Sequence, residues 1–174
     1  MFFNSVNSPN AGWVTATTLC VLSTNTVRTP LIVNTGINFP TIDIADPINN
    51  PLEHDVNINI ILHEMIHALA MNGPLYRWFV NENGALLTAH ISTVRLSNRN
   101  YEVLNLPPLT QRLRDFTGCP TIPGVFMEYD GTAHVARRFF QWDIMTTAGV
   151  VGSKVSFVTL GFLEGTGWYV PNYD

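Results

Sequence analysis

Apolar positions along this chain change their spacing several times, and each change marks an element. Residues 13 to 22, WVTATTLCVL, are rich in β-branched and aromatic types and read as a strand. Residues 30 to 39, PLIVNTGINF, read as a second strand, either regular or with a bulge at Gly36. A polar loop with Asp43, Asp46 and Pro47 follows. The spacing then turns helical, with Val56, Ile60, Leu62, Ile66 and Leu69 predicting a helix whose middle is largely buried. Asn50 can cap it, Pro51 suits the first helical position, and Glu53 completes a capping-box pattern. Asn72-Gly73-Pro74 predicts the stop, with Gly73 taking a left-handed exit and Pro74 forbidding continuation.

The rest is less periodic. A strand is predicted within LLTAHISTVRL, and residues 110 to 118 read as a short helix closed by Gly118. Gly, Pro and turn residues make 119 to 152 irregular. A last helix is predicted from a cap at Ser153 to Glu164, with Gly165 behind it and Phe157, Leu160 and Phe162 packing.

A length of 174 residues predicts one domain. Apolar residues make up 46% and charged residues only 13%, but aromatic and branched residues are plentiful enough to rule out disorder. A formal net charge of -4, with no Lys/Arg run, argues against a nucleic-acid partner. The start lacks a basic segment followed by an apolar run, so it does not read as a signal peptide. No stretch reaches the ~20 apolar residues of a membrane-spanning helix. Two cysteines, Cys20 and Cys119, are too few for a disulfide scaffold. The sequence does not specify an oligomeric state.

The chemistry lies in ILHEMIHALAMNGP, residues 61 to 74. His63 and His67 are four apart, so on a helix they stand almost above one another, ~5–6 Å apart at Cβ. Two imidazoles so placed can converge on one cation at ~2.0–2.1 Å. Glu64, about 100° round the helix, can flank that cation without being a ligand. Zinc lowers the pKa of a bound water to about 7, and a carboxylate beside it can take the proton and pass it to a leaving amine. Burying these three side chains unpaired in an apolar helix would be costly, and a metal satisfies all of them.

Two imidazoles leave the third protein ligand of such a site to be found. The compact pattern, with a third His six residues after the second, fails here, because Gly73 stands there. His54, nine residues before His63, faces the far side of the helix and reads as a solvated helix-start residue. His90 lies in the predicted strand. His134 follows a Gly-bearing turn, eleven positions before Met145. Glu82 or Glu102 would instead make a thermolysin-like site, though neither has the expected helical surroundings.

The ordered set HEMIHALAM, FTGCPTIPGVFMEYDGTAH, WDIMTT and TLGFLEGTGWYVPNYD resembles the leishmanolysin-like zinc peptidases, which are metzincins. Upstream, ATTLC and RTPLIVNTGIN are also similar to that family, and the resemblance covers about residues 13 to 174. It implies that His63, His67 and His134 bind one catalytic Zn2+, that Glu64 is the catalytic acid/base, and that Met145 forms an apolar turn beneath the metal. The implied fold is α+β, the metzincin catalytic domain: a small twisted sheet with the active-site helix, and a mostly irregular lower part with a C-terminal helix. Protein or peptide substrates would lie extended along a sheet edge, placed at residues 30 to 39.

The family carries Gly where this chain has Ala70, so either Ala70 takes a left-handed conformation or the helix runs on to Gly73. Family members are longer, with a pro-segment before this region and a cysteine-rich domain after it. Cys20 and Cys119 would pair with cysteines outside this chain. The resemblance also implies a cell-surface, membrane-associated or extracellular location. Zinc-dependent endopeptidase activity is therefore expected, falling below about pH 6 as ordinary imidazoles protonate. The other expectation is a cell-adhesion or binding module with a structural zinc.

Overall fold

The computed structural model describes residues 2–6, 15–23, 29–38, 48, 50–88, 90–128, 133–147 and 151–174. The fold is α+β. Strands β1 (Phe2–Val6), β2 (Thr15–Leu22) and β3 (Pro30–Asn38) form one sheet in the order β1-β3-β2. β1 runs parallel to β3 and β2 antiparallel to it. Strands β4 (Ile91–Leu96), β5 (Arg99–Leu104) and β6 (Val125–Phe126) form a second, antiparallel sheet in that order.

The irregularity in the first sheet lies on β2, where the register shifts between Leu19 and Val21 and again before Leu22. Gly36 is in register with Ala16 and Asn4 and forms no bulge. β2 pairs along β3 from Pro30 to Ile37 and β1 along its other side from Asn34 to Asn38, so the second half of the expected substrate edge is already paired on both sides. Asp43, Asp46 and Pro47 lie outside the described residues.

Helix α1 (Pro51–Leu69) packs against β2 and β3. Asn50 precedes it, but its side chain caps no backbone amide and donates instead to the Glu53 carboxylate. The middle of the helix is not largely buried: of the five predicted core positions only Ile66 is buried, and Leu62 is 37% exposed. Both expectations for the exit fail. Ala70 has φ -165°, extended rather than left-handed, and the helix stops at Leu69. Gly73 instead opens a 3-10 segment, Gly73–Trp78, and does not have a positive φ. The amides of Ala70 and Met71 both bond the Ile66 carbonyl, and the Tyr169 hydroxyl donates to the Leu69 carbonyl at 3.0 Å. These bonds satisfy the helix end without a glycine.

β4 begins only at Ile91, and a tight hairpin at Ser97-Asn98, both at positive φ, joins it to β5. His90 is therefore in the loop before the strand. Helix α2 (Pro107–Thr117) starts on two prolines and ends at Gly118, whose φ of 65° is the left-handed exit expected there. Helix α3 (Arg137–Phe140) is a single turn. Helix α4 (Phe157–Gly165) begins three residues later than predicted, because Ser156 is the cap and accepts from the Val158 amide. α4 lies against α2, and Gly161 and Gly165 permit the approach. A Cβ on Gly165 would sit 2.6 Å from Leu106 Cβ.

The main core gathers Ile66 of α1 and Ala70 and Met71 just beyond it with Tyr76, Leu104, Leu109, Met145 and Phe162, and a smaller cluster gathers Val103, Phe126 and Ala136. Among the described residues no helix is long and apolar enough to cross a membrane.

Candidate metal centre

Three imidazoles converge. His63 and His67 come from the last turns of α1, and His134 from the segment just before the turn of α3. His63 Nε2 lies 2.9 Å from His67 Nε2, and His134 Nε2 lies 3.1 Å from each of them. No other group of three or more His, Cys, Asp or Glu among the described residues could hold a metal ion.

The other ring nitrogens fix the chemistry. His63 Nδ1 donates to the Ile144 carbonyl at 2.6 Å, and His67 Nδ1 donates to the Met71 carbonyl at 2.6 Å. Each proton therefore sits on Nδ1, and each Nε2 presents a lone pair. Two lone pairs 2.9 Å apart do not hydrogen-bond; they repel unless a cation lies between them. Three nitrogens held tetrahedrally at ~2.0–2.1 Å would stand ~3.3–3.4 Å apart. The triangle need open only slightly to match, so the donor set fits a metal that takes imidazole ligands.

Electrostatics agree with neutral rings. Burial lowers the pKa of His63, and the neighbouring His134 pushes the same way. Burial, with His63 next, lowers His67 to about 4. The Glu64 carboxylate opposes both shifts, so its charge reaches both rings. Glu64 itself is buried, 5% exposed, on the same helix turn.

Met145 is fully buried in a turn over Asp143 to Thr146, closed by the Thr146 amide on the Asp143 carbonyl at 3.2 Å. Two consecutive carbonyls of that turn reach the site. That of Ile144 accepts from His63 Nδ1–H, and that of Met145 accepts from the Val135 amide at 3.0 Å, next to His134. The backbone of Glu128 pairs with His134 as well, its amide donating to the His134 carbonyl at 2.9 Å.

The remaining candidates stand apart. His54 is in the first turn of α1, 3.7 Å from the Asp55 carboxylate. His90 packs against the rings of Phe79 and Tyr76, at centroid distances of 5.9 and 6.3 Å. Glu82 is exposed in a turn and Glu102 is on β5; neither joins the imidazole group. Cys119 is a free, exposed thiol, and the side chain of Cys20 lies outside the described residues. Reading the sequence missed the two carbonyls that orient His63 and His67. The Met71 carbonyl was within reach of it, because a residue four beyond His67 at a helix end places its carbonyl near the ring.

Comparison with known proteins points the same way. A family model described as leishmanolysin matches residues 1–174. The ciliated left-right organizer metallopeptidase of Mus musculus is 30% identical over 134 residues, 71% of this chain and 19% of that protein. Leishmanolysin of Leishmania major is 25% identical over 143 residues, 79% of this chain and 22% of that protein. The leishmanolysin-like peptidase of Caenorhabditis elegans is 24% identical over 158 residues, 70% of this chain and 24% of that protein. The chain spans about a fifth to a quarter of the length of these curated relatives.

Proposed function

The chain belongs to the leishmanolysin family of metallopeptidases, and from that premise we propose that it is a zinc-dependent endopeptidase built on a metzincin-type catalytic domain. The observation that carries the reading is the triangle of three imidazole Nε2 atoms, with the rings of His63 and His67 held in the Nδ1–H tautomer by the carbonyls behind them. His63, His67 and His134 are its metal ligands, Glu64 its acid/base, and Met145 the apolar floor. Residues 1–174 act as one catalytic unit on protein or peptide substrates.

Zinc held there supplies a Lewis acid for the scissile carbonyl and brings a water near neutral pKa. The chain's own groups do the rest. The carbonyls of Ile144 and Met71 keep the protons on Nδ1 of His63 and His67, and so keep each Nε2 available. Glu64 takes one proton from the attacking water and delivers it to the amide nitrogen as the C–N bond breaks and the new C–O bond remains. Its buried position keeps the carboxylate out of bulk water, where its proton would exchange with solvent.

The test is Glu64→Gln. This variant is expected to keep stoichiometric zinc and to lose casein cleavage by at least ~10²-fold. Equal cleavage by both chains would sink the peptidase reading, and zinc without cleavage in either would favour a binding module. His134→Ala is expected to lose tight zinc; tight zinc retained in that variant would point to a glutamate ligand instead.

A further inference from the structure

The buried carboxylate of Asp143 is not used by the reaction outlined above, and among the described residues it makes no ion pair. Asp143 is only 2% exposed. It accepts from the Met145 amide at 2.8 Å, from the Ser156 hydroxyl, and from the Thr159 amide at 3.3 Å. The Thr159 hydroxyl contacts both of its oxygens, at 2.8 and 2.9 Å. All these groups are donors, and α4, which Ser156 caps and Thr159 belongs to, starts at this point, so its N-terminal dipole favours a negative charge here. The carboxylate therefore ties one end of the Asp143–Thr146 turn to the first turn of α4.

The turn it holds is the one that touches the metal centre. Its Ile144 carbonyl faces His63 Nδ1, and its Met145 carbonyl holds the Val135 amide beside His134. Only His67 is independent of it, because its carbonyl partner, Met71, lies at the end of α1. We infer that Asp143 is a positioning residue for the metal centre, setting the orientation of the His63 imidazole through the Ile144 carbonyl and the placement of His134 through Met145. This role rests on the metal-centre reading, but its main readout does not require activity.

Side-chain proton NMR of the zinc-loaded chain supplies that readout. Wild type is expected to show slowly exchanging imidazole Nδ1–H signals from both His63 and His67. Asp143→Asn places an amide donor against the donors of Ser156 and Thr159. This substitution is expected to abolish the slow exchange at His63, to leave His67 unchanged, and to weaken zinc binding by about 10–100-fold. Unchanged His63 exchange and zinc affinity in the variant would overturn the assignment. So would joint loss of both signals, which would mean general loosening. In wild type the Met145 amide and His63 Nδ1–H are expected to exchange at matching rates, because one opening of the turn exposes both. A freely exchanging Met145 amide beside a protected His63 also overturns it, and this measurement needs no variant to fold. A wild-type chain that takes up no zinc sinks the metal reading instead, and the His63 signal still tests Asp143 in that chain.

Discussion

The first half of α1, residues 51–62, contains no buried residue, although Leu52, Ile58, Ile61 and Leu62 are apolar; they are 60, 43, 38 and 37% exposed. The second half, only two turns long, buries Glu64, Ile66, His67 and Ala68, three of them inside the motif and the fourth directly after it. Apolar character does not distinguish the halves. Their partners do. The end of the helix meets Met71, Tyr76, Met145 and Phe162 in the main core, and the Tyr169 hydroxyl holds its last carbonyl. Order in this helix is concentrated where the imidazoles must be held still, as a preorganised site requires.

Core truncation should give the largest effect and the sharpest contrast. Ile66→Ala removes a buried side chain from the main core and is expected to cost ~2–5 kcal/mol in urea unfolding. Leu52→Ala, in the exposed half, is expected to stay within about 0.5 kcal/mol of wild type. Similar costs for the two would mean that both halves are held alike.

Proton linkage separates the halves next. His67, whose folded pKa is lowered to about 4, binds its proton more readily in the unfolded chain, where the value is 6.5. Between those values the unfolded state holds more protons, so stability falls as pH falls. Its contribution is complete above pH 6.5 and is lost progressively down to about 4. For the metal-free chain the loss is on the order of 3 kcal/mol, shared with His63, which shifts the same way. Urea midpoints at pH 7.5 and 4.5 measure it, and equal midpoints would contradict the burial of these rings.

What the sequence disclosed and what it hid follow from how local each signal is. The metal helix was legible because His63, Glu64 and His67 need only a helical period to meet, and Gly118 closes α2 through a conformation that glycine adopts without strain. The third imidazole needed an ordered series of motifs, since no period relates His134 to residues 67 and 71 positions away. The carbonyl that orients His63 lies 81 residues distant, and backbone carbonyls leave no mark in a residue pattern. Ser153 and Ser156 are equal as caps in composition; Ser156 takes the role with the Asp143 carboxylate holding it in place. The placement of β3 between β1 and β2 is likewise a pairing choice that the apolar run from Pro30 cannot reveal.

Caps provide the smallest test. Asn50 makes no bond to a helix amide, only an exposed one to Glu53, so Asn50→Ala is expected to cost a few tenths of a kcal/mol instead of the ~1 typical of a cap. Ser156→Ala removes a cap bond to Val158 and a donor to Asp143, and is expected to cost ~1–2 kcal/mol. Thermal unfolding resolves the difference, and a larger loss at Asn50 would show that the first half of α1 is anchored after all. Zinc affinity adds a second axis. Fraying at residue 50 leaves the Ile144 carbonyl on His63, so affinity should hold in Asn50→Ala. Ser156→Ala loosens the carboxylate that steadies that carbonyl, and affinity should fall with stability.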